Sequence, residues 1–269
     1  MPRLIPSQDL VRRTVGAEAA YTLARLQVLE RLPGNPVGVA FRQPADGVVA
    51  LMAQHLPVPS FNSIVGLRAG QEQHIEPLLA WYGGHDIKPR VEVVPALADG
   101  KIVRELARLG YYQSGFHASL MCEPGMRVAE IGHPAIERVT DAAALEEFLE
   151  AHAAGWGIPD PQGFKANVRG WLALPNWSLY LARIDGRPAA TGILYVSTRV
   201  GYCADAATVP AFRGRGLQQA MLRRRIADAA AAGVDVVCSG AEYLSTSHRN
   251  MERVGMRVQF VRALWTAMV

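Results

Sequence analysis

The stretch Gly201–Gly233, GYCADAATVPAFRGRGLQQAMLRRRIADAAAAG, decides the fold of this chain. Its first residues favour an extended backbone as far as Val209, and Pro210 ends that strand. Good helix formers follow from Leu217, and Gly233 stands where a helix commonly ends. The stretch therefore predicts a strand, a short turn and a helix.

The turn between this strand and this helix has the composition of an anion-binding site. Gly214 and Gly216 carry no Cβ, so an anion can approach the backbone closely, and Arg213 and Arg215 add charge and forked donors. The unpaired N–H groups of a helix N-terminus favour phosphate. The third glycine of a dinucleotide fingerprint and the GK[ST] of a P-loop are both missing. The turn therefore predicts a phosphate site of another type.

The hexad that follows the strand, Arg213–Gln218 (RGRGLQ), resembles motif A of the GCN5-related N-acetyltransferases, the GNAT family. The family signature is [RQ]-x-x-G-x-[GA]. The hexad matches it at Arg213 and Gly216 and departs from it at Gln218, where the family has a small residue.

The segments after the hexad strengthen the resemblance. Val234–Cys238 is a short apolar run typical of a buried strand. Ser247–Val254 has a helical pattern that Gly255 ends, and Met256–Thr266 returns as extended chain. This order of elements is the order of the family. The resemblance covers roughly residues 136–269, which is half of the chain, and implies an α/β fold with a mixed sheet.

The resemblance implies that coenzyme A binds along the strand and the turn. Backbone N–H groups of the turn would hold the pyrophosphate, the strand would line the pantetheine, and polar residues of the last helix would donate hydrogen bonds. Helix capping is the alternative role for Ser247. The residues expected at acetyl-CoA are Ala207, Thr208, Val209, Arg213, Gly214, Arg215, Gly216, Leu217, Gln218, Gln219, Ser247 and Asn250.

The reaction that the resemblance implies is transfer of an acetyl group from coenzyme A to a primary amine. Such an amine must lose a proton near neutral pH, so a base is needed. Asp205 is a carboxylate in an otherwise apolar strand and is the candidate base, with a structural aspartate as the alternative. The family's usual acid is a Tyr at the position of Met251, which cannot donate a proton. Tyr243 is the substitute candidate.

The roles of two further groups of side chains can each be interpreted in two ways. The run Arg223–Arg225 within the helix is typical of a solvated face, and a contact with the 3′-phosphate of coenzyme A is the alternative. The family's acceptor loop falls near Trp156, Trp171 and Trp177, for which core packing is the simpler interpretation.

The first half of the chain repeats the pattern of the second. Arg104–Tyr111 and Asn250–Met256 both read as a helix end, a glycine and a bulky residue that starts a strand. We therefore predict two tandem lobes, a GNAT-like domain at residues 1–131 and a GNAT domain at 132–269. The first copy is degenerate, because Gly66–Gln73 lacks the R-x-x-G-x-x frame and has Glu72 where a phosphate would lie. One cofactor site is expected.

Composition argues against several other classes. The 269 residues carry a net charge of +4, and no dense basic run with interleaved aromatics is present, so nucleic acid is not an expected partner. The three cysteines have no metal-ligand spacing, and no metal is expected. No apolar stretch is long enough to cross a bilayer, and the N-terminus has no secretory pattern. The cytoplasm is the simplest expected compartment.

These observations leave two principal hypotheses. The first is an acetyl-CoA-dependent N-acetyltransferase that acts on a small-molecule or peptide amine, as a monomer or homodimer. The second is a non-catalytic acyl-CoA-binding or regulatory protein, which the missing Tyr and the degenerate first copy favour. A nucleic-acid binder would rest on the pI of about 9.1 alone.

Overall fold

The chain folds into two compact units in a computed structural model. The structure describes residues 4–56, 58–125, 135–158, 165 and 167–268. The N-terminal unit comprises Ile5–Ser119 and Gln259–Val269, and the C-terminal unit comprises Leu120–Val258 with the first four residues. The predicted boundary between residues 131 and 132 lies outside the described residues. The last strand, which that prediction counted with the C-terminal domain, packs in the N-terminal unit.

The N-terminal unit is a mixed sheet with helices. Its elements are α1 (Gln8–Glu30), β1 (Val39–Arg42), β2 (Val49–Ala53), β3 (Ser63–Val65), α2 (Ile75–Gly83), β4 (Arg90–Val93), α3 (Gly100–Arg108), β5 (Tyr111–Cys122) and the last strand of the chain, β11 (Arg257–Ala267). The strands lie in the order β1-β2-β3-β4-β11-β5. β3 and β4 are parallel, whereas the pairs β1–β2, β2–β3 and β4–β11 are antiparallel.

A buried charged cluster joins α1, β4 and β11 within this unit. Arg262 donates hydrogen bonds to Glu92 and to Ser119, at 2.9 and 2.8 Å, and forms an ion pair with Glu18. Burial alone would raise the pKa of Glu92, but the charges of Arg262 and Arg90 outweigh it and lower that pKa. The pKa of Glu18 is raised, chiefly by burial. Arg262 therefore stabilises the ionised form of Glu92 more than that of Glu18.

His117, whose pKa is affected by the charges of this cluster, predicts a loss of stability in mild acid. Burial, and next the charge of Arg262, lower the pKa of His117 to about 4. Below the ordinary imidazole pKa of about 6.5, the unfolded chain takes up a proton that the folded chain refuses. We expect His117 to cost up to about 3 kcal/mol of stability as the pH falls from about 6.5 to 4. Urea unfolding of wild type and His117→Gln across that range measures the cost. The same dependence of the unfolding free energy on pH in both proteins would contradict this expectation.

The C-terminal unit is a four-stranded antiparallel meander with one parallel strand added. Its elements are β6 (Ile136–Arg138), α4 (Ala142–Trp156), β7 (Trp177–Ile184), β8 (Arg187–Ser197), β9 (Val200–Thr208), α5 (Leu217–Ala231), β10 (Val236–Ala241) and α6 (Thr246–Arg253). The strands lie in the order β10-β9-β8-β7-β6, and β10 runs parallel to β9. This arrangement confirms a mixed α/β fold.

Local signals in the sequence place the elements of this unit. Asp141 caps α4, because its Oδ1 accepts the N–H of Ala144 at 2.9 Å. Asp185 and Gly186 both have positive φ, 49° and 73°, and make the two-residue turn between β7 and β8. α4 and α5 both pack against β8 and β9. The central strands are therefore covered by helices, and the exit of β9 leads directly into α5.

Candidate functional site

The turn that joins β9 to α5 leaves the start of the helix without a side-chain cap. A single 3₁₀ turn, Pro210–Phe212, follows the strand. Gly214 and Gly216 have φ of 79° and 75°, a left-handed conformation that glycine adopts without strain. Gly216 is the N-cap of α5, and no side chain hydrogen-bonds to the N–H groups of the first turn in the described part of the chain. These groups remain available to an anion.

A cavity of about 650 Å³ lies at this turn. Ten of the twelve residues predicted at the cofactor line it: Ala207, Thr208, Arg213, Gly214, Gly216, Leu217, Gln218, Gln219, Ser247 and Asn250. The other two have different surroundings. The N–H of Val209 donates to the carbonyl of Ala189 at 3.0 Å, and the Arg215 guanidinium lies 5.5 Å from the ring centroid of Phe212.

A chain of hydrogen bonds fixes the helix start against α6. Gln218 donates from Nε2 to Ser247 Oγ at 2.8 Å and accepts from Asn250 Nδ2 at 2.7 Å. Gln219 and Arg253 both donate to Asn250 Oδ1, at 3.2 and 2.9 Å. Ser247 is therefore not a helix cap. The cap of α6 is Ser245, whose Oγ accepts the N–H of His248 at 3.2 Å.

Arg213 braces the turn through backbone carbonyls. Its Nε donates to the carbonyl of Thr208 at 3.3 Å, and its Nη2 donates to the carbonyl of Gly155 at 3.1 Å. Gly155 sits so close to β9 that a Cβ there would lie 2.6 Å from the Cβ of Ala207. The absence of a side chain at Gly155 thus lets the end of α4 pack closely on β9 beside the cavity. The hydrogen bond from Arg213 stabilises this packing.

A β-bulge interrupts β9 beside the cavity. Thr191 pairs with Ala207 and Ile193 pairs with Ala204, so two residues of β9 face one residue of β8. Asp205, one of the two, has a φ of 34°. Its neighbour Ala206 lines the cavity. The bulge therefore releases backbone from the ladder at the point where the strand reaches the cavity.

Arg225 is buried against the bulge. For this residue the prediction that Arg223–Arg225 form a solvated face was wrong. The side chain is 1% exposed. Its Nη1 donates to the carbonyls of Ile193 and Ala204, both at 2.9 Å, and its Nε donates to the carbonyl of Met221 at 3.2 Å. The prediction was wrong because residue 225 falls on the sheet-facing side of α5, where a guanidinium can satisfy carbonyls that the bulge leaves open.

The two candidate catalytic residues lie outside the wall of the cavity. Asp205 is half-buried in the bulge. Tyr243 is 55% exposed in the connection from β10 to α6, and its ring centroid lies 5.0 Å from that of His248. Neither side chain is among those that line the cavity. Met251, at the position of the family's tyrosine, is buried.

The wall of the cavity also includes residues of α4 and β8. Trp156, at the end of α4, lines it and is 53% exposed, whereas Trp171 is fully buried. Thr191 of β8 lines it as well, and Thr191 Oγ1 lies 2.7 Å from His152 Nδ1. Periodicity along α4 marks residue 152 as inward-facing, but the partner is 39 residues away and no local pattern identifies it.

Within the described residues, no group of three or more His, Cys, Asp or Glu side chains could hold a metal ion. None of the described helices combines the length and the apolar character that a membrane span requires.

Comparison with known proteins finds a family model that matches part of the chain. A family model described as the acetyltransferase (GNAT) domain matches residues 126–244. These residues include β9, the turn and α5, so the segment that predicted the phosphate site falls within the matched domain. No curated protein matches the sequence.

Solved structures share the fold over nearly the whole chain. A GCN5-related N-acetyltransferase from Kribbella flavida is 18% identical with a TM-score of 0.65, over 93% of this chain and 95% of that one. A GCN5-related N-acetyltransferase from Sphaerobacter thermophilus is 16% identical with a TM-score of 0.57, over 97% and 93%. A GNAT-family acetyltransferase from Colwellia psychrerythraea is 14% identical with a TM-score of 0.56, over 91% and 97%. At these identities the likeness establishes the fold.

Proposed function

We propose that this protein is an acetyl-CoA-dependent N-acetyltransferase that transfers the acetyl group to a primary amine by direct attack on the thioester. The observation that carries the proposal is the uncapped N-terminus of α5 at the wall of a 650 Å³ cavity. A helix start of this type binds phosphate through its N–H groups and its dipole. The match of residues 126–244 to the GNAT domain supports the same chemistry.

Each part of acetyl-CoA has a partner in this arrangement. The pyrophosphate is bound by the N–H groups of Leu217, Gln218 and Gln219, which the hydrogen bonds to α6 keep in place. Arg253, which also lines the cavity, contributes positive charge. The pantetheine follows the end of β9, where the small side chains of Ala206 and Ala207 allow close approach.

The bulge supplies the electrophilic assistance that the thioester needs. A backbone N–H released from the β8–β9 ladder at Ala206 can donate to the thioester oxygen as negative charge develops there. A fixed donor of this type requires no reorganisation during the reaction. The amine nitrogen then attacks the carbonyl carbon, the C–S bond breaks, and coenzyme A leaves as a thiolate.

The alternative is a non-catalytic acyl-CoA-binding protein. Buried Met251 and the position of Tyr243 outside the cavity wall favour it, because no tyrosine stands where the family's acid is expected. Protonation of the thiolate by water removes the need for that acid. The transferase converts acetyl-CoA and an amine to products, whereas the binding protein only binds the acyl-CoA.

An amine screen separates the two functions. We expect the protein to release free coenzyme A from acetyl-CoA, and to form an equal amount of N-acetyl product detected by mass spectrometry, with at least one member of the panel. The panel contains alkyl amines, amino acids, aminoglycosides and peptides with free N-termini. Saturable acetyl-CoA binding without product from any amine would support the binding protein instead.

We also infer that the N-terminal unit is a degenerate copy of the same fold. In each unit, three antiparallel strands lead through a helix to a strand parallel to the third one. After β3, the turn is used internally: the N–H of Arg68 donates to Gln71 Oε1 at 2.9 Å, and Arg68 forms an ion pair with Asp46. One acetyl-CoA per chain is therefore the expected stoichiometry.

A further inference from the structure

His152 and Thr191 form a buried pair at the wall of the cavity. Both residues are 1% exposed, and the Nδ1–Oγ1 distance of 2.7 Å is that of a hydrogen bond. Thr191 lines the cavity, whereas His152 does not, so Thr191 is the member of the pair that borders the cavity. Such an arrangement lets a proton pass from a bound molecule to the ring through one hydroxyl group.

Aromatic packing fixes the plane of the His152 ring. Phe148 stacks on it with ring centroids 5.1 Å apart and an angle of 16°. Trp171 and Trp156 meet it edge-on, at 6.3 and 6.4 Å. A ring held in this way keeps Nδ1 directed at Thr191, which is the function of the third member in catalytic triads.

The pair lies where the reacting groups of the proposed reaction would meet. Thr191 is opposite Ala207 in the β8–β9 ladder, one position from the bulge. A Cβ at Gly155 would clash with Ala207, and Gly155, Ala207 and Thr191 all line the cavity, so the end of α4 and Thr191 share this part of its wall. An amine that attacks a thioester bound along Ala206–Thr208 would therefore arrive within reach of Thr191.

We propose that Thr191 takes up the proton of the acceptor amine and passes its own proton to His152. The inference rests on the proposed N-acetyltransferase function. The amine lone pair forms the new C–N bond, the C–S bond pair leaves with the thiolate, and the thiolate takes a proton from water. One amine proton moves to Thr191 Oγ1 while the Thr191 proton moves to His152 Nδ1, so that imidazolium forms and later releases its proton to solvent. Thr191 is then the catalytic residue and His152 positions and relays.

The titratable groups on the elements packed around His152 include one competing candidate for the base. Lys165 and Arg183 form ion pairs with Glu150 and Glu147 on α4. The titratable side chains of the packed strands are Arg183 and Tyr180 on β7, Arg187 and Tyr195 on β8, and Tyr202, Cys203 and Asp205 on β9. Burial raises the pKa of the Cys203 thiol, which keeps it protonated. Asp205 is the competing base.

The test compares Thr191→Val, Thr191→Ser, His152→Gln and Asp205→Asn with wild type on the fastest amine of the screen. We expect Thr191→Val to lower kcat about 100-fold or more, with the KM for acetyl-CoA within about twofold, and Thr191→Ser to recover most of the rate. The wild-type pH–rate profile has a lower limb, because the relay needs an unprotonated imidazole to accept the proton. His152→Gln removes that limb, and Asp205→Asn retains it.

Two results would overturn the relay. The first is a wild-type rate and pH profile in Thr191→Val, which differs from threonine mainly by the lost hydroxyl. The second is loss of the lower limb in Asp205→Asn but not in His152→Gln. Should His152→Gln fail to fold, the Thr191 pair decides the question by itself. A wild type that acetylates no amine would refute the proposed function and the relay together, which is a different outcome from an active wild type with active variants.

Discussion

Gly216→Glu is expected to lower the affinity for acetyl-CoA about 100-fold or more. The new carboxylate would stand at the N-cap of α5, where the proposed pyrophosphate meets the helix N–H groups. Two like charges about 4 Å apart repel by about 4 kcal/mol at the effective dielectric near a protein surface, and a 100-fold loss needs about 3 kcal/mol. The side chain would also compete with the phosphate for those N–H groups as an N-cap.

The other end of the same helix offers a matched control. Gly233 has a φ of 73°, close to that of Gly216, and a Cβ at either residue meets nothing within 4 Å. Gly233→Glu therefore introduces the same backbone strain and the same charge away from the cavity. We expect its affinity for acetyl-CoA, measured by calorimetry, to stay within about twofold of wild type. Equal losses in both variants would show that strain, and not the phosphate site, controls binding.

Arg225→Ala is expected to lower the free energy of unfolding by about 4 kcal/mol. The substitution leaves a cavity under the sheet, and the carbonyls of Ile193 and Ala204 lose the guanidinium that they share. Truncation of a large buried side chain costs about 2–5 kcal/mol, and each orphaned buried carbonyl adds about 1–3 kcal/mol. Relief from burying a cation offsets part of this sum. Urea unfolding measures the difference.

Arg223 provides the comparison on the same helix. It is half-buried, and its Nε and Nη1 have no hydrogen-bond partner among the described residues. We expect Arg223→Ala to cost less than about 1 kcal/mol. A loss in Arg225→Ala no larger than that would mean that the bulge holds its conformation without the guanidinium.

The local part of the fold follows from the sequence. A proline after β9, two glycines with positive φ and a run of helix formers predict the strand, the turn and α5. Asp141 and Ser7 cap α4 and α1, as short polar residues immediately before a helix commonly do. These signals are readable because each one depends on residues only a few positions apart.

The remaining features depend on residues far apart in the chain. β11 lies beside β4 in the N-terminal unit, a pairing between segments about 170 residues apart that no local pattern records. The burial of Arg225 and the contact of His152 with Thr191 arise only when helices pack on β8 and β9. The family resemblance indicated ten of the residues that line the cavity, and eight of these follow one another at the strand end and the helix start.

A crystal structure of the protein with acetyl-CoA tests the central claim most directly. We predict pyrophosphate oxygens within hydrogen-bond distance of the N–H groups of Leu217, Gln218 and Gln219, with the pantetheine along Ala206–Thr208 and the thioester near Thr191. Acetyl-CoA bound at another surface, with the first turn of α5 in contact with solvent, would contradict the assignment of this turn as the phosphate site and the N-acetyltransferase proposal that depends on it.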